Sequence, residues 1–206
     1  MASNAARSVV IFDLGGVLID WNPRYLYRKL FDGDEAAMEA FLGSVCTPHW
    51  NERQDAGRRF ADAEAELIAL HPEKEPLIRA WRLRFGETIR GAIDGTVEVL
   101  TELKERGTPL YALTNWSGET FPTQLPRFAF LHWFEGVVVS GDEGMIKPDP
   151  KIFRLLLERY GLAAEDCVFI DDNARNAAAA DALGIHGVHF RDPASLRRDL
   201  SALGLL

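Results

Sequence analysis

At 206 residues and 47% hydrophobic content, the chain can bury one substantial core plus an accessory module, and it is too apolar to be disordered. A net charge of −8 and a pI near 5.2 argue against nucleic acid or an anionic membrane as partner. A small phosphorylated metabolite remains allowed, because only the field inside a crevice needs to be positive. Met1 to Ser8 lack an apolar core and no later stretch is long enough to span a bilayer, so a cytoplasmic protein is expected. Cys46 and Cys167 lie far apart without metal-like spacing and are expected to be reduced and buried.

The first element is the apolar run from Val9 to Phe12, which reads as a strand buried on both faces and ends at Asp13, ahead of Leu14 and the pair Gly15, Gly16. Between this point and Gly95 the periodicity is helical, with almost no strand signal. Helices are predicted over Pro23 to Phe31, Asp34 to Val45, Ala61 to Leu70 and Glu75 to Arg90. From Gly95 a helix runs through Arg106, followed by a strand, Pro109 to Leu113, that delivers Thr114 and Asn115. A helix from near Gly118 or Glu119 and a short strand, Val137 to Val139, come next. A helix over Asp149 to Tyr160 ends at Gly161, and Cys167 to Ile170 form a strand delivering Asp171, Asp172 and Asn173. A helix over Ala174 to Leu183, a strand over His186 to Phe190 and a helix after Pro193 close the chain.

Strands alternating with helices predict an α/β fold, a doubly wound and mainly parallel sheet with an inserted all-helical cap. In such a sheet ligands bind at the carboxyl ends of the strands. Asp13, Asp171 and Asp172 would meet there and repel one another unless a cation lay between them. Oxygen ligands without clustered His or Cys favour magnesium over zinc. Lys147 follows the Val137 to Val139 strand and is held between Gly144 and Pro148, whose restricted backbones fix its direction; it is a suitable point charge to hold an anionic nucleophile beside a phosphate.

Asp13 with Phe12, Leu14 and Gly16, Thr114 with Asn115, Lys147 with Pro148, and the pair Asp171, Asp172 stand in an order and at separations that resemble the haloacid dehalogenase-like hydrolase superfamily over essentially the whole chain. The resemblance implies a Rossmann-like core over 1–20 and 95–206 and a helical cap over 21–94 that acts as a lid. It implies Asp13 as the nucleophile forming an aspartyl-phosphate, Thr114 and Asn115 as phosphoryl ligands, and Lys147 as the residue tying nucleophile to phosphate. Magnesium would be held by Asp13, the Gly15 carbonyl and Asp172, with Asp171 ligating directly or through water. The expected activity is magnesium-dependent hydrolysis of small phosphate monoesters by a monomer or homodimer.

One position departs from the family pattern. Most of its phosphatases carry a general acid/base Asp two residues after the nucleophile, where this chain has Gly15. The loss of such a group costs about 10² to 10⁴ in rate. A 2-haloacid dehalogenase and a weakly active or non-catalytic phosphate-binding protein are therefore the alternatives. Within the lid, Trp50 and Arg53 are candidate substrate contacts, and His49 or Glu52 candidate replacements for the acid. Trp116, after Asn115, and Trp21 are candidates to line the pocket.

Overall fold

The computed structural model describes residues 7–206, so the expectation for the opening of the chain lies, over Met1 to Ala6, outside the described residues. The strands are β1 (Val9–Phe12), β2 (Ile19–Trp21), β3 (Ile89–Ala92), β4 (Leu110–Thr114), β5 (Gly136–Val139), β6 (Cys167–Asp171) and β7 (His186–His189). The helices are α1 (Arg24–Leu30), α2 (Glu35–Ser44), α3 (Pro48–Asp55), α4 (Phe60–Leu70), α5 (Glu75–Leu83), α6 (Asp94–Glu105), α7 (Ser140–Glu143), α8 (Pro150–Tyr160), α9 (Ala174–Asp181) and α10 (Pro193–Ala202).

Five strands form one sheet in the order β5-β4-β1-β6-β7, with every neighbouring pair parallel. The inner strands β4, β1 and β6 are buried at every residue, which is why each reads as a nearly unbroken apolar run. Successive side chains leave opposite faces of the sheet. Val10, Phe12, Leu110 and Ile170 pack on one side with Leu100 and Leu103 of α6 and Leu196 and Leu200 of α10. Val9, Ile11, Leu113 and Phe169 pack on the other with Ile152, Phe153 and Leu156 of α8 and Ala180 of α9. The sheet is thus covered by helices on both faces, as the strand and helix alternation predicts.

The run Ala177 to Ala180 serves close packing: a Cβ at Gly187 of β7 would lie 2.2 Å from the Ala177 carbonyl oxygen, so helix and strand approach at a distance only small residues allow.

Helices α1 to α5 lie between β2 and β3, which pair antiparallel as a separate two-stranded ribbon. Their core is aromatic. Trp50 packs edge-on against Trp81 at 5.5 Å and Phe60 at 6.0 Å between ring centroids, and Tyr27 adds a contact with Trp81 at 5.9 Å. The buried Glu64 is gripped by Arg82, whose Nε and Nη2 donate to it at 2.8 and 3.1 Å, tying α4 to α5.

Three local expectations change. The helix predicted to reach Arg90 stops at Leu83, and the chain passes through a 3-10 turn, Phe85–Thr88, into β3. The strands β2 and β3 are too short to stand out from their helical surroundings. The segment 48–55 is a helix of its own; only Trp50 and Gln54 are buried along it, so its periodicity is weak although Thr47 caps it and Pro48 opens it. The helix expected near Gly118 is instead two 3-10 turns, Phe121–Gln124 and Ala129–Trp133, in a stretch where Pro122 and Pro126 interrupt regular hydrogen bonding. Among the described residues no helix is long and apolar enough to cross a membrane.

Candidate active site

Asp13 follows the last residue of the central strand, and its backbone N–H still donates to Ile170 O at 2.8 Å, which holds it at the sheet edge. Its Oδ1 accepts from Leu14 N at 2.7 Å and lies 2.9 Å from Lys147 Nζ. The buried Lys147 ammonium also donates to Asp171 Oδ2 at 2.7 Å and to the Leu113 carbonyl at 2.9 Å. Three donors therefore meet three acceptors, and the side chain has no free proton.

Asn115 fixes the lysine from behind. Its Nδ2 donates to Lys147 O at 3.0 Å and its Oδ1 accepts from Lys147 N at 2.8 Å. Gly144, in the left-handed region at φ 67°, ends α7 and turns the chain toward this position.

Oxygens of Asp13, Asp171 and Asp172 lie within 4.8 Å of one another. Burial pushes Asp13 up to about 7 against the pull of Lys147, with Asp171 and Asp172 adding to the rise. Burial and Asp171 likewise raise Asp172. For Lys147, burial opposes the charge, yet the two carboxylates outweigh it and the ammonium is held above its ordinary range. Three carboxyls against one ammonium leave negative charge in excess, and the donor set is all oxygen. These residues fit a hard divalent cation such as magnesium.

The two glycines have opposite surroundings. Gly16 lies at φ 77°, and a Cβ there would come 2.3 Å from Asp172 Oδ2, so only glycine lets that carboxylate stand so near the loop. A Cβ at Gly15 would meet nothing within 4 Å. The position where the family pattern has its acid is open space.

A cavity of about 570 Å³ is bounded by Asp13, Gly15, Gly16, Asn115 and Asp172 of the sheet edge together with side chains of α1, α2, α3 and α5. Trp21, Trp81, Phe85, Trp116 and Leu42 supply its apolar wall, and the indole N–H groups of Trp21 and Trp81 have no protein partner. Its one arginine, Arg24, is paired with Glu39 at 2.7 Å.

Asp13, Gly15, Asn115, Lys147, Asp171 and Asp172 come together as the sequence implies, with Thr114 buried at the end of β4 beside them. Besides Lys147 and Asp13, two more of these side chains are already engaged. The Asn115 amide is spent on the Lys147 backbone. Both oxygens of the fully buried Asp171 are occupied, by Lys147, by Asn173 N at 2.8 Å and by Asn176 Nδ2 at 3.1 Å. Trp116 lines the cavity, held by its Nε1 donating to Thr120 Oγ1 at 3.1 Å.

Trp50 and Arg53 are not brought to the cavity. Trp50 is part of the aromatic core, its ring packed edge-on against Trp81 and Phe60. Arg53 points to solvent, 4.0 Å from Glu66. His49 is also exposed, whereas Glu52 reaches the cavity edge.

The residue that sequence reasoning missed is Asp55. It lines the cavity at the last turn of α3 and accepts from Asn51 Nδ2 at 2.8 Å. The spacing of four between Asn51 and Asp55 places both on one helix face, the signal that recognising the helix would have exposed.

A family profile described as haloacid dehalogenase-like hydrolase matches residues 8–184. A sesquiterpene phosphatase of Aspergillus oryzae is 29% identical, with 94% of each chain covered. A protein of Mycobacterium tuberculosis named phosphatase MT3486 is 32% identical, over 97% of this chain and 96% of its own length. The chain is also 29% identical to mouse acyl-CoA dehydrogenase family member 10, of whose length it spans 19%. Among solved structures, a Bacteroides thetaiotaomicron HAD family enzyme in complex with magnesium and inorganic phosphate superposes with a TM-score of 0.68 at 22% identity, covering 90% of this chain and 94% of that one.

Proposed function

The chain belongs to the haloacid dehalogenase-like hydrolases, and from that premise we propose that it is a magnesium-dependent phosphatase of small phosphate monoesters working through an aspartyl-phosphate on Asp13. The observation that carries this reading is the pairing of Asp13, which lines the cavity beside Asp172, with the buried Lys147 ammonium 2.9 Å away. Lys147 stabilises the ionised nucleophile and would lie beside the charge of an incoming phosphoryl group. An Asp13 oxygen attacks phosphorus in line, the bond to the leaving oxygen breaks, and water then cleaves the acyl phosphate to release phosphate.

Thr114 and the backbone after it would receive phosphoryl oxygens, the Asn115 side chain acting through the lysine it positions. Asp13, the Gly15 carbonyl and Asp172 would hold the divalent ion, with Asp171 contributing through water because its own oxygens serve Lys147 and Asn176. When bound, that ion supplies positive charge opposite the phosphoryl oxygens. Helices α1 to α5 act as the lid of this site, and the organic part of the substrate rests against Trp21, Trp81, Phe85 and Trp116, where water is excluded.

The experiment is phosphate release from a panel of phosphate monoesters with magnesium or with chelator, run beside halide release from 2-haloacids. Metal-dependent phosphate release that falls by at least about 10³ in Asp13→Asn is the expected result. Halide release in the presence of chelator, or near-normal phosphatase activity in Asp13→Asn, would end the reading.

A further inference from the structure

With Gly15 in place of the acid, a proton for the leaving group must come from elsewhere, and few groups in the cavity can supply it. Glu39 is engaged by Arg24, and burial pushes the Cys46 thiol up to about 12. Glu52 has 60% of its side chain exposed and faces His49 at 3.7 Å. Asp55 differs from all of these. It is half-buried in the cavity wall, and its carboxylate is oriented by Asn51 Nδ2 from the preceding turn. Its backbone is fixed against the sheet. The buried Ser140 hydroxyl donates to Asp55 O at 2.5 Å while accepting from Trp116 N at 2.9 Å, directly after the Thr114, Asn115 pair. Beyond it, Gly57 packs so closely on α7 that a Cβ would lie 3.0 Å from Gly141 O.

We infer that Asp55, carried by the helical lid rather than by the loop after the nucleophile, is the general acid and base of this enzyme. The inference rests on the aspartyl-phosphate reading. As the Asp13 oxygen bonds to phosphorus and the phosphorus–oxygen bond to the leaving group breaks, the electron pair stays on the leaving oxygen. That oxygen takes the proton of the Asp55 carboxyl and departs as an alcohol. The Asp55 carboxylate then takes a proton from water as the water oxygen bonds to phosphorus. The bond from phosphorus to Asp13 breaks, giving phosphate, ionised Asp13 and protonated Asp55, so the cycle closes without another reactant.

The charged groups that face Asp55 are Glu52 from its own helix and Asp13 from the end of β1. Burial, then these two acids, push it up to about 7, with the Ser117 backbone N–H pulling the other way. A group so placed exchanges its proton near neutrality, as an acid that becomes a base must.

The test is Asp55→Asn with magnesium present, assayed on an alkyl phosphate and on 4-nitrophenyl phosphate. For the alkyl ester kcat should fall by about 10² to 10⁴ with little change in KM, because its leaving group needs the proton. The nitrophenyl ester should still give a rapid burst of nitrophenol, followed by slow turnover as the acyl phosphate waits for a base. The fall in alkyl phosphatase activity as pH rises through about 7 should disappear in the variant. Gly15→Asp in the Asp55→Asn background should restore alkyl turnover, because position 15 has open space for the carboxylate.

Equal loss for both esters with no burst, no loss at all, or failure of Gly15→Asp to rescue a folded variant would overturn the inference. So would the same split between esters in Glu52→Gln with Asp55→Asn unaffected. Failure of the aspartyl-phosphate reading is recognised separately: no acyl phosphate is then trapped in either protein and Asp13→Asn remains active.

Discussion

Lys147→Met removes an ammonium while nearly keeping the length and apolar stem of the side chain. The wild-type group is 2% exposed and neutralises Asp13 at 2.9 Å and Asp171 at 2.7 Å while satisfying the Leu113 carbonyl. In the variant two buried carboxylates face each other and a buried acceptor is orphaned. Removing one partner of a buried ion pair typically costs about 3 to 5 kcal/mol. The remaining donors, Leu14 N on Asp13 and Asn173 N and Asn176 on Asp171, argue against a larger figure. For a chain of this size each kcal/mol lowers the melting temperature by about 2 to 4 °C, so a fall of about 6 to 20 °C is expected. Thermal unfolding followed by circular dichroism in chelator measures that fall, and urea unfolding the free energy. Adding Asp171→Asn removes one of the stranded charges and should recover stability, with a coupling of about 0.5 to 3 kcal/mol between the two positions. If Lys147→Met lies within about 1 kcal/mol of wild type, or the two substitutions simply add, then the lysine is not what holds these acids together.

Three further outcomes follow from the same geometry. Asp172→Asn removes the one exposed member of the acidic cluster, so magnesium binding by calorimetry should weaken by at least about tenfold while stability in chelator is unchanged or raised, because a repelling charge is gone. Gly16→Ala should destabilise by about 1 to 3 kcal/mol through its positive φ and should also weaken magnesium binding, since the new methyl displaces Asp172 Oδ2; a variant with wild-type metal affinity would show that the carboxylate has room to move. Glu87 is held down at about 2 by Arg84 and then Lys29. Its contribution is present above its ordinary pKa and is lost as pH falls from about 5 toward 2. Glu87→Gln should flatten that acid limb of a stability–pH curve, and since the carboxylate is 36% exposed the difference at neutral pH should stay under about 1 kcal/mol after solvent screening.

The core was legible because its signals are local and redundant. Strands buried on both faces leave apolar runs, and the polar residues that end them, Asp13, Thr114 and Asp171, fall at the sheet edge once the strands are parallel. What the sequence could not disclose is how those residues share their hydrogen bonds. Asn115 and Asp171 read equally well as ligands of phosphate or metal and as supports of Lys147, and only the placement of Lys147 N, O and Nζ decides for support as the side chains' present work.

The inserted helices α1 to α5 were harder for a different reason. Helix α3 buries two side chains in eight residues, too few to mark a face, so from sequence its most conspicuous residue, Trp50, is as much a candidate substrate contact as a core residue, and aromatic packing against Phe60 and Trp81 claims it. Asp55 carried no such prominence. Its position depends on Ser140 and Trp116, 85 and 61 residues away along the chain, and on Gly57 lying flat against α7. A carboxyl positioned by contacts across that span has no short motif to announce it. On the proposed mechanism, the acid that the loop after Asp13 lacks is therefore sought across the cavity from that loop, on the residue of α1 to α5 that the sheet edge holds in place.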